Sequence, residues 1–207
     1  MKFFWSDLHL NVNNQTCLVC LRNWYFRGYQ EWEDMVFAGL ERIPPQSTLF
    51  ILGDFAGEPQ KFLPKIKRIT QSSVYLIRGN HDPRMATCEW AFGKGMCRDA
   101  MITRVCGVPT WLSHYPHMFW RKSHSDGPGG SYHLFGHVHN QRTDFINEMF
   151  PGIRALDVCP ESSYQHLKRW EPFSEEEVHE ILSARPGHDD VRWCEGWRMK
   201  KIAEGNL

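Results

Sequence analysis

No apolar run in this 207-residue chain approaches the roughly 18 residues that a bilayer-crossing helix needs. The opening MKFFWSDLHL has one lysine but neither an apolar stretch of signal-peptide length nor a small-residue cleavage site, so no secretory leader is expected. Excess charge is missing as well, with 24 Lys plus Arg against 24 Asp plus Glu. A balanced chain has no overall field to hold nucleic acid or an anionic membrane. Repeats, low-complexity blocks and linkers are absent too. Seven cysteines, an odd number scattered along the chain, do not make a disulfide framework. Cys17 and Cys20 have zinc-finger spacing, but no second pair completes four ligands, so buried thiols are expected. These absences together predict a soluble protein of a reducing, cytoplasmic compartment.

What the chain does have is a core and an unusual supply of histidine. Hydrophobic residues at 42% and aromatics at 14% suffice for one sizeable domain, which we place at residues 1–184, with 185–207 as a polar tail packed on it through Trp193 and Trp197. Eleven histidines are the compositional outlier. Histidine is the commonest metal ligand and the side chain most easily tuned near neutral pH.

The stretch VYLIRGNHD, Val74 to Asp82, shows how those histidines are placed. It begins with the composition of a buried strand and breaks abruptly into Arg78, Gly79, Asn80, His81 and Asp82. Open α/β sheets put their ligands at such strand ends. Taken alone, Gly-Asn-His-Asp is an ordinary loop.

Four other segments repeat the pattern. Lys2 to Trp5 reads as a strand ending in Asp7 and His9, which would share a face in extended backbone. Thr48 to Leu52 ends in Gly53-Asp54. Ala100 to Cys106 and Thr110 to Ser113 read as an antiparallel pair joined through Gly107-Val108-Pro109, and the second delivers His114. Tyr132 to Phe135 ends in Gly136, His137 and His139, the two histidines again at i and i+2. Between strands, the apolar spacing of Trp32, Met35, Val36, Leu40 and Ile43 predicts a helix stopped by Pro44-Pro45. Gln60 to Thr70 carries a solvated basic face, and Pro83 to Asp99 reads as loop with one helix. Met118 to Gly130 reads as a mobile loop beside the site, Ile153 to Val158 as a last strand, and Ser174 with Glu177 as the capping box of a helix through Leu182.

Asp7, His9, Asp54, Asn80, His114, His137 and His139 thus come from five strand ends. Hard and borderline donors in that number point to a dinuclear centre of mixed oxygen and nitrogen ligation. With its motifs SDLH, LGD, RGNHD, SHYP and GHVH in that order between residues 2 and about 160, the chain resembles the calcineurin-like metallophosphoesterase superfamily, in particular its small bacterial and phage members. The resemblance implies an α/β fold, a four-layer α/β/β/α sandwich of two mixed sheets. It also implies two divalent ions, manganese first, with iron, zinc, nickel or magnesium compatible with such ligands. By the same resemblance, Asp7, His9, Asp54 and His139 hold one ion, Asn80, His114 and His137 the second, and Asp54 bridges them. A hydroxide shared by the ions attacks phosphorus in line, His81 protonates the leaving oxygen or stabilises the transition state, and Asp82 orients His81. Phe55-Ala56-Gly57 after Asp54, and Asp82 after His81, depart from the Ser/Thr protein phosphatase branch.

The expected substrate is a small phosphorylated molecule or a nucleotide. A phosphodiesterase or nuclease would use Arg78, Arg84, Arg121 and Lys122 on phosphates, and the missing net charge weighs against it. A binding scaffold, like the phosphoesterase-like retromer subunit, would have lost critical residues, notably the histidine at the position of His81, which this chain keeps.

Overall fold

The structure, a computed structural model, describes residues 1–10, 26, 28–123, 130–149 and 152–185. The Cys17–Cys20 pair, the tail tryptophans and much of the loop ending at Gly130 lie outside the described residues. In chain order the elements are β1 (Lys2–Trp5), α1 (Tyr29–Leu40), β2 (Thr48–Ile51), α2 (Pro59–Thr70), β3 (Ser73–Ile77), α3 (Met85–Phe92), β4 (Cys97–Arg98), β5 (Ala100–Val105), β6 (Val108–Ser113), β7 (Tyr132–Phe135), α4 (Thr143–Met149), β8 (Ala155–Asp157), α5 (Pro160–Leu167), β9 (Phe173–Ser174) and α6 (Glu175–Ser183).

These strands form two mixed sheets. The first has the order β4-β3-β2-β1-β9, parallel except for β9, which runs against β1; the second has the order β5-β6-β7-β8, with β5 antiparallel to β6 and the rest parallel. The protein is an α/β sandwich. Pairing aligns Trp5 with Ile51 and Ile51 with Leu76, so β1, β2 and β3 end at one level. Leu112 likewise aligns with Leu134. The loops that leave these strands emerge on one rim.

Alternation along the short strands explains why both faces of the first sheet are buried. Phe3, Trp5, Leu49, Ile51, Val74 and Leu76 point to one side, where Trp32, Val36 and Leu40 of α1, Phe62, Leu63 and Ile66 of α2 and Phe92 of α3 cover them. Phe4, Phe50 and Ile77 point to the other, against Leu112, Tyr132, Leu134 and Leu156 of the second sheet and Val178 and Leu182 of α6. Phe4 and Phe50 stack at 5.3 Å between ring centroids. Each large side chain so buried contributes about 1.5–3 kcal/mol. A third cluster on the outer face of the second sheet joins Trp111, Trp120, Phe135, Ile146 and Ile153.

Three local features differ from expectation. Helix α1 starts two residues early and ends at Leu40, although Ile43 beyond it stays buried. The β5–β6 connection is only Cys106-Gly107, both left-handed at φ 45° and 85°, the form of a type I′ hairpin turn. Val108 and Pro109 therefore belong to β6. The segment between Pro83 and Asp99 holds a strand, β4, besides its helix. The capping box is present as expected: Ser174 Oγ accepts from Glu177 N–H, and Glu177 Oε2 accepts from Ser174 N–H. Cys88, Cys97, Cys106 and Cys159 are free thiols. Among the described residues, no helix is long and apolar enough to cross a membrane.

Candidate metal centre

The rim where β1, β2, β3, β6 and β7 end gathers the seven candidate ligands from their five separate segments. Asp7 N–H donates to the Gly53 carbonyl at 2.9 Å and His9 N–H to that of Asp54 at 2.8 Å, so the loops after β1 and β2 run side by side. Asp7 and His9 are not in the extended backbone that their spacing suggests, nor are His137 and His139. Asp7, His9, Asp54, His137 and His139 are all left-handed, with φ of 56°, 46°, 50°, 72° and 48°. Asp and His tolerate that region better than most side chains, yet it still costs about 1–3 kcal/mol per residue, and such strain collects at functional sites. One left-handed residue at every second position also turns two side chains to the same side.

Close approach explains two of the motif glycines. A Cβ on Gly79 would lie 2.3 Å from Asp54 Oδ1, and one on Gly136 would lie 2.4 Å from Asp7 Oδ2. The backbone after β3 and β7 therefore presses directly on the two carboxylates. His81 N–H donates to Asp54 Oδ1 at 2.8 Å, and His137 N–H donates to both oxygens of Asp7 at 3.1 Å.

Two clusters result, Asp7 with His9 and His139, and Asp54 with His114 and His137. Either can hold a metal ion. Asp7 Oδ1 lies 3.9 Å from His9 Nε2 and 3.5 Å from His139 Nε2; Asp54 Oδ2 lies 3.6 Å from His9 Nε2 and 3.5 Å from His114 Nε2. Donors bound to one first-row ion at about 2.0–2.2 Å stand roughly 3.0–3.6 Å apart. These separations are near the spacing that a shared ion sets. The chemistry agrees, because Asp7, His9, Asp54 and His114 are buried to within a few percent. Carboxylates so far from water require cations.

The His114 imidazole has its inward nitrogen set from behind. The Leu52 carbonyl accepts from His114 Nδ1 at 2.9 Å, leaving Nε2 to face Asn80 Oδ1 at 2.9 Å and Asp54. Glu161 Oε2 stands 3.9 Å behind His139 Nδ1. Asp157, fully buried at the end of β8, accepts from the N–H groups of Asn140 and Cys159. Burial first, and Asp7 second, raise its carboxyl to about 7. Sequence reading missed Glu161 and Asp157, since neither lies in a short motif; proximity in the fold was their only signal.

Burial opposes the charged forms of Asp54 and His114, but each charges the other. In the metal-free protein the Asp54 carboxyl is held down at about 2 by its hydrogen bond to His114 and by the charges of His114 and His9, and the His114 imidazole is raised to about 9 by that hydrogen bond, the charges of Asp7 and Asp54, and the Leu52 carbonyl. Because the folded value of His114 exceeds its unfolded value, its stabilisation is fully present below pH 6.5 and is lost as pH rises through 9. Chelator-treated protein should lose on the order of 3 kcal/mol of unfolding free energy across that window, measured by urea titration. Equal stability at pH 6.5 and 9 would show that the pair is not formed.

The remaining candidates are distributed unevenly. His81 is exposed, its ring 5.4 Å from that of His9. Asp82 is buried and faces backbone amides, accepting from Gly79, Asp54 and Phe55 at 2.8–2.9 Å and from Ala56 at 3.4 Å. Burial and Asp54 raise its carboxyl, while those amides work against the rise. Arg78 forms an ion pair with Asp99 at 3.1 Å. Arg84 is exposed at the start of α3. Arg121 lines a groove with Lys122, Arg104 and Pro109, toward the opposite end of β6 from His114.

No family model matches the chain, and no curated protein matches it. Among solved structures its fold is similar to that of the protein of unknown function AQ665 from Aquifex aeolicus, at a TM-score of 0.63 and 21% identity, covering 87% of this chain and 98% of that one. This likeness establishes a shared α/β fold. A conserved uncharacterized protein from Streptococcus pneumoniae TIGR4, itself a predicted phosphoesterase, aligns at a TM-score of 0.29 and 12% identity over 77% of this chain and 70% of that one, too distantly to bear on function.

Proposed function

We propose that the chain is a dinuclear metal-dependent phosphoesterase on a four-layer α/β/β/α sandwich, acting on a phosphate ester of a small molecule or nucleotide. One observation carries the reading: a single oxygen of Asp54, Oδ2, lies 3.6 Å from His9 Nε2 and 3.5 Å from His114 Nε2, the position of a bridging ligand between two sites. Asp7, His9 and His139 would hold one ion with Asp54, and Asn80, His114 and His137 the other. Two divalent ions, with manganese the first to test, would there acidify water and neutralise phosphate oxygens.

The chain's own residues do the rest. Four histidines and Asn80 are neutral donors when bound, so only Asp7 and Asp54 offset the charge of the ions and the centre keeps a positive surplus for phosphate. His81 is fixed through its N–H to Asp54 Oδ1, and its exposed ring can reach a bound ester. It would protonate the departing oxygen. His81→Gln should lower turnover by about 10²–10⁴ and leave metal content intact, with the larger loss for esters of poor leaving groups. Equal rates for a poorly leaving alkyl ester in both proteins would remove the acid role.

Metal-stripped protein should regain hydrolysis when manganese, nickel, zinc or magnesium is returned, with two ions bound per chain by calorimetry. Model monoesters and diesters assayed in parallel define the ester class. Protein that binds two ions but hydrolyses neither class would be a scaffold; protein that binds none would overturn the centre itself.

A further inference from the structure

Immediately beside the candidate centre the chain builds a second feature. Tyr115 packs its ring on His137 at 4.7 Å and on His114 at 5.0 Å between centroids. From the next residue, a crevice of about 240 Å³ opens on the outer face of the second sheet, lined by Pro116, His117, Met118, Phe145, Ile146 and Ile153. Among the described residues that line it, His117 is the one with a polar side chain.

The crevice is preformed and offers few hydrogen bonds. Its His117 edge is held by His133, a buried neutral imidazole whose Nδ1–H donates to the Trp111 carbonyl while Nε2 accepts from His117 N–H at 3.1 Å. Arg185 Nη1 donates to the carbonyls of Ile153 and Ala155 at 2.8 and 2.7 Å, so these acceptors are already engaged. Met118 and Phe145 nevertheless stay 56% and 57% exposed, large apolar side chains left in water at the mouth of a site. A sugar or a base edge entering here would give up water for hydrocarbon and find little to bond.

We infer that the crevice seats the organic part of the substrate, and that the esters this chain hydrolyses are phosphate esters of apolar alcohols. The inference rests on the proposed centre, since the phosphate must lie at the ions for the alcohol to reach past Tyr115. Phosphate would be held by charge and the alcohol by hydrophobic burial.

The test is calorimetric titration of the full chain, with and without manganese, with methyl-, ethyl-, propyl- and butylphosphonate, which are not hydrolysed. Affinity should rise about fourfold per added methylene and level off once the crevice is full. Phe145→Asp, at an exposed position that should not disturb folding, and Ile146→Trp, which fills the space, should each flatten that rise. A flat series in the unmodified protein would overturn the inference. A chain-length dependence insensitive to manganese would overturn the metal centre and leave the apolar site standing.

Discussion

In the Asp54→Asn protein, affinity for both ions and phosphoester turnover are expected to fall together, turnover by roughly 10³-fold or more. The substitution isolates charge from structure. Asp54 is left-handed at φ 50°, a conformation that Asn tolerates as well as Asp, so the backbone is not strained further. The amide retains an oxygen that can accept from His81 N–H, keeping the loop after β3 in place. What disappears is the negative charge facing His9 and His114. Replacing a residue that only orients a ligand costs about 10- to 100-fold in metal affinity, and a bridging ligand should exceed that at both sites. Metal analysis after dialysis, with circular dichroism to confirm folding, decides the matter. Two ions retained at normal turnover would remove Asp54 from the bridge.

The strand ends were legible because buried strands read as short apolar runs, and each broke at a residue type able to bind metal. Lys2–Trp5 and Tyr132–Phe135 match their sequence reading residue for residue. The turn of the backbone beyond them was not legible. Asp-x-His and His-x-His fit an extended strand by spacing alone, whereas the structure brings the side chains together through left-handed residues. Strand β9 escaped because two residues have no periodicity, yet it closes the first sheet against β1. Helices α4 and α5 are only seven and eight residues long, and they too lacked a clear pattern. The arginines could not be placed because nothing local fixes a long side chain's partner. Arg78 met Asp99, and Arg121 came to lie toward the far end of β6 from the centre.

Asp82 is the residue whose proposed role changes most once its surroundings are known, and Asp82→Ala is expected to cost about 3–5 kcal/mol of stability. Its two oxygens join the loop after β3, through Gly79, to the loop after β2, through Asp54, Phe55 and Ala56. Alanine would leave those buried donors without an acceptor, and each orphaned amide costs about 1–3 kcal/mol. Asn should not rescue the loss, because its NH₂ would face an amide where a carboxylate oxygen now accepts. Metal affinity should fall alongside stability, since Asp54 and Asn80 hang from the loops that Asp82 ties. A residue that only orients His81 behaves differently: its alanine variant would unfold at the same urea concentration, bind both ions, and lose rate chiefly on esters with poor leaving groups. The urea midpoint and the metal stoichiometry of one variant therefore separate a clamp beneath the centre from a partner of the acid.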